Sequence, residues 1–226
     1  MSELTERRRA VADLGTAMRE TIVLAAVSEV EIDALARAAE LMRQASALLA
    51  PVQRPAAQLP SVDELEAGIR YFSPVIGAGN AMSPPLQITA DGDRIVARVA
   101  LDRRFEGPPG FVHGGVTALL FDEMLGQAAT HLGYWGMTAN LAVSYRRPVP
   151  LDTELMLTAH LSVVDGRKFT ITGTLVVAAE PERVCAEATG LFIEPRPETQ
   201  ERYFADVTDT QGADISGRQG WRGTIG

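Results

Sequence analysis

The chain has 226 residues, 46% of them apolar, and carries a formal net charge of −8 with a pI near 5.0. This charge balance excludes a surface built for polyanions, so no nucleic-acid partner is expected. A lone cysteine, Cys185, rules out an internal disulfide; without a secretory leader pattern or a bilayer-length apolar run, the chain reads as cytoplasmic with no membrane partner.

Residues 1–60 read as a helical extension and linker. Val11, Leu14, Met18, Ile22 and Ala25 recur at helical spacing, and Ser28-Glu29-Val30-Glu31 has the form of a capping box. A second apolar stripe follows at Ile32, Leu35, Ala39, Met42 and Leu49. The two helices are expected to form a hairpin packed on the main domain or on a partner. Pro51, Pro55 and Pro60 mark the linker, and Ser61-Val62-Asp63-Glu64 caps a short helix toward Arg70.

From Leu86 the period changes to two. Gln87–Thr89 and Arg94–Val99 alternate like strands around an Asp91-Gly92-Asp93 turn, and strand-like runs recur at about 138–146, 154–165, 168–179 and 184–194. Between them Gly107-Pro108-Pro109-Gly110 leads into Phe111-Val112-His113-Gly114-Gly115, which opens an apolar helix carrying one acidic pair, Asp122-Glu123. A helix apolar on every face is a buried helix, and a carboxylate inside one is costly unless paired or used. The first N–H groups of a helix lack intrahelical partners and sit at its positive end. The glycines let a ligand approach those groups closely. The stretch thus suggests a carbonyl or oxyanion site at the helix mouth, with a carboxylate two turns on. One buried helix followed by an antiparallel meander is α+β logic. Residues 61–197 read as this domain, and 198–226 as a polar, Gly-rich tail ending Gly-Trp-Arg-Gly-Thr-Ile-Gly.

Gly110-Phe111-Val112-His113-Gly114-Gly115, with Asp122 nine residues after the histidine, resembles the hotdog-fold thioesterase superfamily, in particular the PaaI/THEM4-like acyl-CoA thioesterases. The resemblance covers roughly residues 69–195. It continues through Thr138–Leu151, Gly166-Arg167-Lys168 and Ala186–Ile193. It implies a hotdog fold, an antiparallel sheet wrapped around a central buried helix, here with an N-terminal helical extension. The implied reaction is hydrolysis of an acyl-CoA to free CoA and a carboxylic acid, with no cofactor and no metal. Asp122 would be the base or nucleophile and the Gly114 N–H the oxyanion donor. Thr138 would position water from the other subunit of a homodimer or a dimer of dimers. His113 is a further catalytic candidate, although in similar proteins it mainly shapes the turn. Gly115, Asn140, Arg146, Arg147, Arg167 and Lys168 are candidate substrate-binding residues, the cations because arginine forks suit phosphates. Some relatives carry Asn or Gln six residues before the histidine; here that residue is Gly107.

Rival motifs fail. No Gly-x-Ser-x-Gly elbow is present, and Met82 replaces the third glycine of a dinucleotide pattern begun at Gly77 and Gly79. His113, His131 and His160 are too scattered to suggest a metal site. Arg104 stands where hotdog dehydratases carry a catalytic histidine. The alternative from another class is a non-catalytic hotdog module that senses acyl-CoA.

Overall fold

The alternating stretches form one six-stranded antiparallel sheet in a computed structural model that describes residues 2–210 and 212–214. Its strands are β1 (Gln87–Asp91), β2 (Arg94–Ala100), β3 (Met137–Tyr145), β4 (Glu154–Asp165), β5 (Lys168–Val177) and β6 (Val184–Ile193), in the order β1-β2-β4-β5-β6-β3. β3 therefore lies at an edge, although it follows the central helix directly in sequence.

That helix, α3 (Gly114–His131), packs against β2 through β6. It buries Thr117, Leu120, Phe121, Met124, Leu125, Ala128 and Ala129, a stripe of one helical face. These meet Ile95, Leu155, Leu157, Ile171 and Leu175, all fully buried. Each such large side chain contributes about 1.5–3 kcal/mol of burial. The helix is not buried all round, as its composition suggested. Leu119 is 36% exposed, and Asp122, Glu123 and Gly126 are only half-buried, so one face opens beside β3.

The extension departs from expectation. α1 (Glu3–Val27) docks on the segment before β1 through residues from Arg8 to Arg19. Arg8 Nε donates to the Val62 carbonyl at 2.8 Å, and Arg19 Nη1 to the carbonyls of Ala78 and Asn80 at 2.7 and 3.1 Å. Gly15 makes this approach possible, since a Cβ there would lie 2.3 Å from the Ala78 carbonyl oxygen. Leu14 and Ile22, placed in the sequence stripe, stay exposed. α2 (Ile32–Leu49) buries none of its residues, so the hairpin packing is realised for α1 alone. The helix expected toward Arg70 is a single 3-10 turn, Leu65–Ala67.

The tail also holds more structure than its composition implied. α4 (Pro197–Tyr203) begins with proline at its first position, with Glu198 in its first turn and Arg202 in its last. Beyond it, Thr208 exchanges backbone hydrogen bonds with Ala57 and Leu59 of the linker. The terminal Gly-Trp-Arg-Gly-Thr-Ile-Gly lies outside the described residues.

Candidate active site at the central helix

The approach to α3 is a tight backbone crossing. The His113 N–H donates to the Phe105 carbonyl at 2.8 Å, and Gly107 N–H to the Phe111 carbonyl at 2.9 Å. A Cβ on Gly107 would sit 2.8 Å from His113 Cα, so no side chain fits at that position. The departure from relatives with Asn or Gln there is thus built into the backbone path.

His113 caps α3. Its Nδ1 accepts the Gly115 N–H at 3.0 Å, and its carbonyl accepts from Val116 and Thr117. The ring is thereby committed to the turn, and the Gly115 amide is used internally rather than offered to a ligand. The Gly114 N–H has no hydrogen-bond partner among the described residues. The Gly114 carbonyl is held by the Tyr145 hydroxyl, which donates to it at 2.7 Å from the end of β3. Of the three residues at the mouth, Gly114 keeps a donor available at the positive end of the helix.

Asp122 lies two turns along. Thr138 Oγ1 donates to its Oδ1 at 2.9 Å, within the same chain. This corrects the expectation that the hydroxyl comes from another subunit. A bulge explains the geometry. Leu141, Val143 and Tyr145 pair with Gly190, Ala188 and Ala186, all of which are buried on the helix side of the sheet. Strict alternation would continue through Ala139 to Met137. The register shifts between Thr138 and Asn140, so Thr138 instead pairs with buried Phe192 and turns toward α3. Asn140, next to Leu141 in regular alternation, lies on the opposite face, away from Asp122. Asp122 and Thr138 line a cleft of about 300 Å³ together with Arg70, Glu123, Gln127 and Trp135.

Gly114 and Asp122 are eight residues apart on one helix. At 1.5 Å rise per residue this separates them by about 12 Å. One carbonyl group cannot touch both within a single chain.

The basic candidates scatter. Arg146 pairs with Glu187 at 3.0 Å, both side chains well exposed, and Arg147 Nη1 donates to the Val184 carbonyl. Such an exposed pair contributes at most about 1 kcal/mol. Arg167 is better placed: its Nη1 donates to the Glu194 carbonyl, and it lines a cleft of about 710 Å³ that also includes Thr138, Arg196, Tyr203 and Phe204. Lys168 begins β5 outside that lining.

Arg70, Trp135, Tyr145 and Arg196 were not singled out from sequence. Tyr145 could have been found, since it ends the strand that carries Thr138. Arg196 could too, as the first cation after the closing strand in Ile193-Glu194-Pro195-Arg196. Arg70 gave no local signal, because the chain fold alone brings it to α3.

Arg104 proves to be an anchor. Its guanidinium forks onto Asp102 (2.8 Å at the closest), donates to the carbonyls of Ala81 and Ser83, and lies over the Phe105 ring. Burial pushes the Asp102 carboxyl upward, but hydrogen bonds and charge from Arg104 outweigh it and hold the group below the usual aspartate value. On the same loop system, Asp63 goes the other way. Burial raises its carboxyl, opposed by the Tyr71 N–H and by nearby arginines, Arg70 first among them.

Among the described residues no helix is long and apolar enough to cross a membrane. Residues 109–186 match the family model of the thioesterase superfamily. Acyl-coenzyme A thioesterase THEM4 of Xenopus laevis is 38% identical over 92 residues, covering 41% of this chain and 41% of the relative. The Mus musculus protein of that name is 38% identical over 93 residues, covering 41% of this chain and 40% of the relative. The chain thus spans about two fifths of the length of these curated relatives. A thioesterase superfamily protein of known crystal structure aligns with a TM-score of 0.70 at 35% identity, over 81% of this chain and 94% of that one. Since that solved relative is 35% identical and is covered over 94% of its length, the chain belongs to the thioesterase superfamily.

Proposed function

We propose that this protein hydrolyses acyl-CoA thioesters to free CoA and carboxylic acids, as an acyl-CoA thioesterase of the PaaI/THEM4 kind. The observation that carries the reading is the Asp122 carboxylate, held by Thr138 at the wall of a cleft along α3. Thr138 occupies one carboxylate oxygen and leaves the other to take a proton from water. The resulting hydroxide attacks the thioester carbonyl carbon, and the C–S bond breaks as the tetrahedral intermediate collapses. The CoA thiolate leaves and takes the proton held by Asp122, which regenerates the carboxylate. A backbone donor such as the Gly114 N–H stabilises the oxyanion by roughly 3 kcal/mol.

The 12 Å between Gly114 and Asp122 supports placing those roles on different chains of a homodimer. β3 suits such an assembly. It is an edge strand, with Met137 46% and Tyr145 53% exposed. The CoA phosphates are assigned to Arg167 and Arg196, whose cleft shares Thr138 with the catalytic one. A cytoplasmic setting fits the one buried free thiol, Cys185.

The test is release of free thiol from a panel of acyl-CoAs. Turnover by the wild type that falls at least about a hundredfold in Asp122→Asn supports the reading. Acyl-CoA binding without turnover by the wild type would favour the sensing module instead.

A further inference from the structure

We infer that the segment between the N-terminal helices and the sheet, residues 65–86, together with Ile88 of β1, builds a pocket for the aliphatic chain of the acyl group, in the same chain as Asp122. This rests on the thioesterase reading above and adds to it the part of the molecule that selects the substrate.

Two clefts meet along α3. The catalytic one holds Asp122 and Thr138; the second, of about 380 Å³, is lined by Ile69, Tyr71, Ile76, Leu86 and Ile88. Gly68, Arg70 and Gln127 belong to both linings, so the two spaces adjoin across a shared wall. A ligand leaving Asp122 toward the loop passes this collar first. Gln127 Nε2 donates to Glu123 Oε1 at 2.7 Å, which holds the amide against its own helix. Arg70 is exposed, so its charge can stay in water while its stem faces the passage. Past the collar the wall is aliphatic and aromatic, the lining of an apolar-ligand pocket.

The pocket is held open by the extension. α1 fixes the outer side of the loop through Arg8 on Val62, Arg19 on Ala78 and Asn80, and the close contact at Gly15. Inside, Ser83 Oγ donates to the Val75 carbonyl at 2.7 Å and Leu86 N–H to the same carbonyl at 2.9 Å. The loop is therefore tied from both sides.

Spacing decides which substrates can use it. Gln127 lies five residues beyond Asp122, about 7.5 Å along the helix. An acetyl group bound at the carboxylate does not reach the collar, whereas a long aliphatic chain passes it and buries apolar surface.

The experiment is a chain-length series, from acetyl-CoA through butanoyl- and octanoyl- to dodecanoyl-CoA, with kcat/KM measured for the wild type, Ala67→Trp and Ile88→Trp. Ala67 is an exposed residue of the pocket wall, so its variant places bulk in the pocket without entering the core. In the wild type, kcat/KM should rise at least about tenfold from butanoyl- to octanoyl-CoA. In the variants the ratio of dodecanoyl- to acetyl-CoA should fall by about tenfold or more. A flat wild-type series overturns the proposal, as does an unchanged ratio in a folded variant, and both leave the thioesterase reading standing. No hydrolysis of any ester by the wild type overturns both.

Discussion

Thr138 and Asp122 share a 2.9 Å hydrogen bond inside one chain, and the bulge at Ala139 makes it possible. Losing a hydrogen bond to a charged group costs about 1.5–3 kcal/mol, so Thr138→Ala should lower kcat by roughly ten- to a hundredfold. If the pair acts in cis, mixing Asp122→Asn with Thr138→Ala subunits leaves each site with one lesion. No recovery is expected once exchange has been verified by labelling. About half of wild-type turnover per mixed dimer would show the pair to act across chains.

Gly114 occupies the first turn of α3, where proline is tolerated and removes only an N–H. His113 before it has φ −62° and ψ 132°, a conformation compatible with a following proline. Gly114→Pro should therefore keep the far-UV circular dichroism of the wild type while losing about 10²–10³ in kcat, the scale of one oxyanion donor. Mixed with Asp122→Asn, it should restore about half of wild-type turnover per mixed dimer, because one of the two composite sites is then intact. Normal turnover in Gly114→Pro would remove the helix mouth from the mechanism.

Gly107→Asn introduces the side chain that some relatives carry, at a point where its Cβ would lie 2.8 Å from His113 Cα. Forcing that contact should cost about 1–3 kcal/mol and displace the cap of α3. Denaturant melts would show it; an unaltered midpoint would mean that the crossing yields easily.

The two perturbed aspartates predict opposite pH behaviour. Asp102 titrates below its unfolded value, so its stabilisation is complete above about pH 4 and is lost as pH falls through the folded value. Asp102→Asn, which leaves mostly buried Arg104 without a counter-charge, should cost roughly 1–3 kcal/mol at pH 7. The gap in Tm from the wild type should narrow on acidification below about pH 4. Asp63 titrates above its unfolded value, so its charge disfavours the fold at neutral pH. Asp63→Asn should be neutral or stabilising there, with any advantage vanishing in acid. A gap for Asp102→Asn that stays constant to pH 3 would dissociate Arg104 from that carboxylate.

Much of this was readable from residue order alone. Alternation located the strands, the turn residues located the hairpins, and the run from Phe111 to Asp122 located the helix mouth and the carboxylate. What escaped were relations set by packing between distant segments. Composition could not say that α3 keeps one face open, because that depends on an edge strand with no strand paired beyond it among the described residues. The direction of Thr138 depends on a bulge that no residue type announces. Arg70 comes to Asp122 only through the path of the loop, and Ile22 was placed in a stripe whose second half covers nothing.

The bulge makes Ala139 the spare residue of β3. Thr138 pairs with Phe192 and Asn140 with Leu191, so deleting that one alanine would join them in regular alternation, with Leu141 and Thr138 toward α3 and Asn140 and Met137 away from it. The carboxylate would keep its partner in a strand one residue shorter. Ironing out the bulge with Ala139 retained has the opposite result: with pairing held from Leu141 to Tyr145, Ala139 takes the inward place and Thr138 turns to the far face of the sheet. Every residue of the motif would then be present, in a protein whose carboxylate had lost its partner.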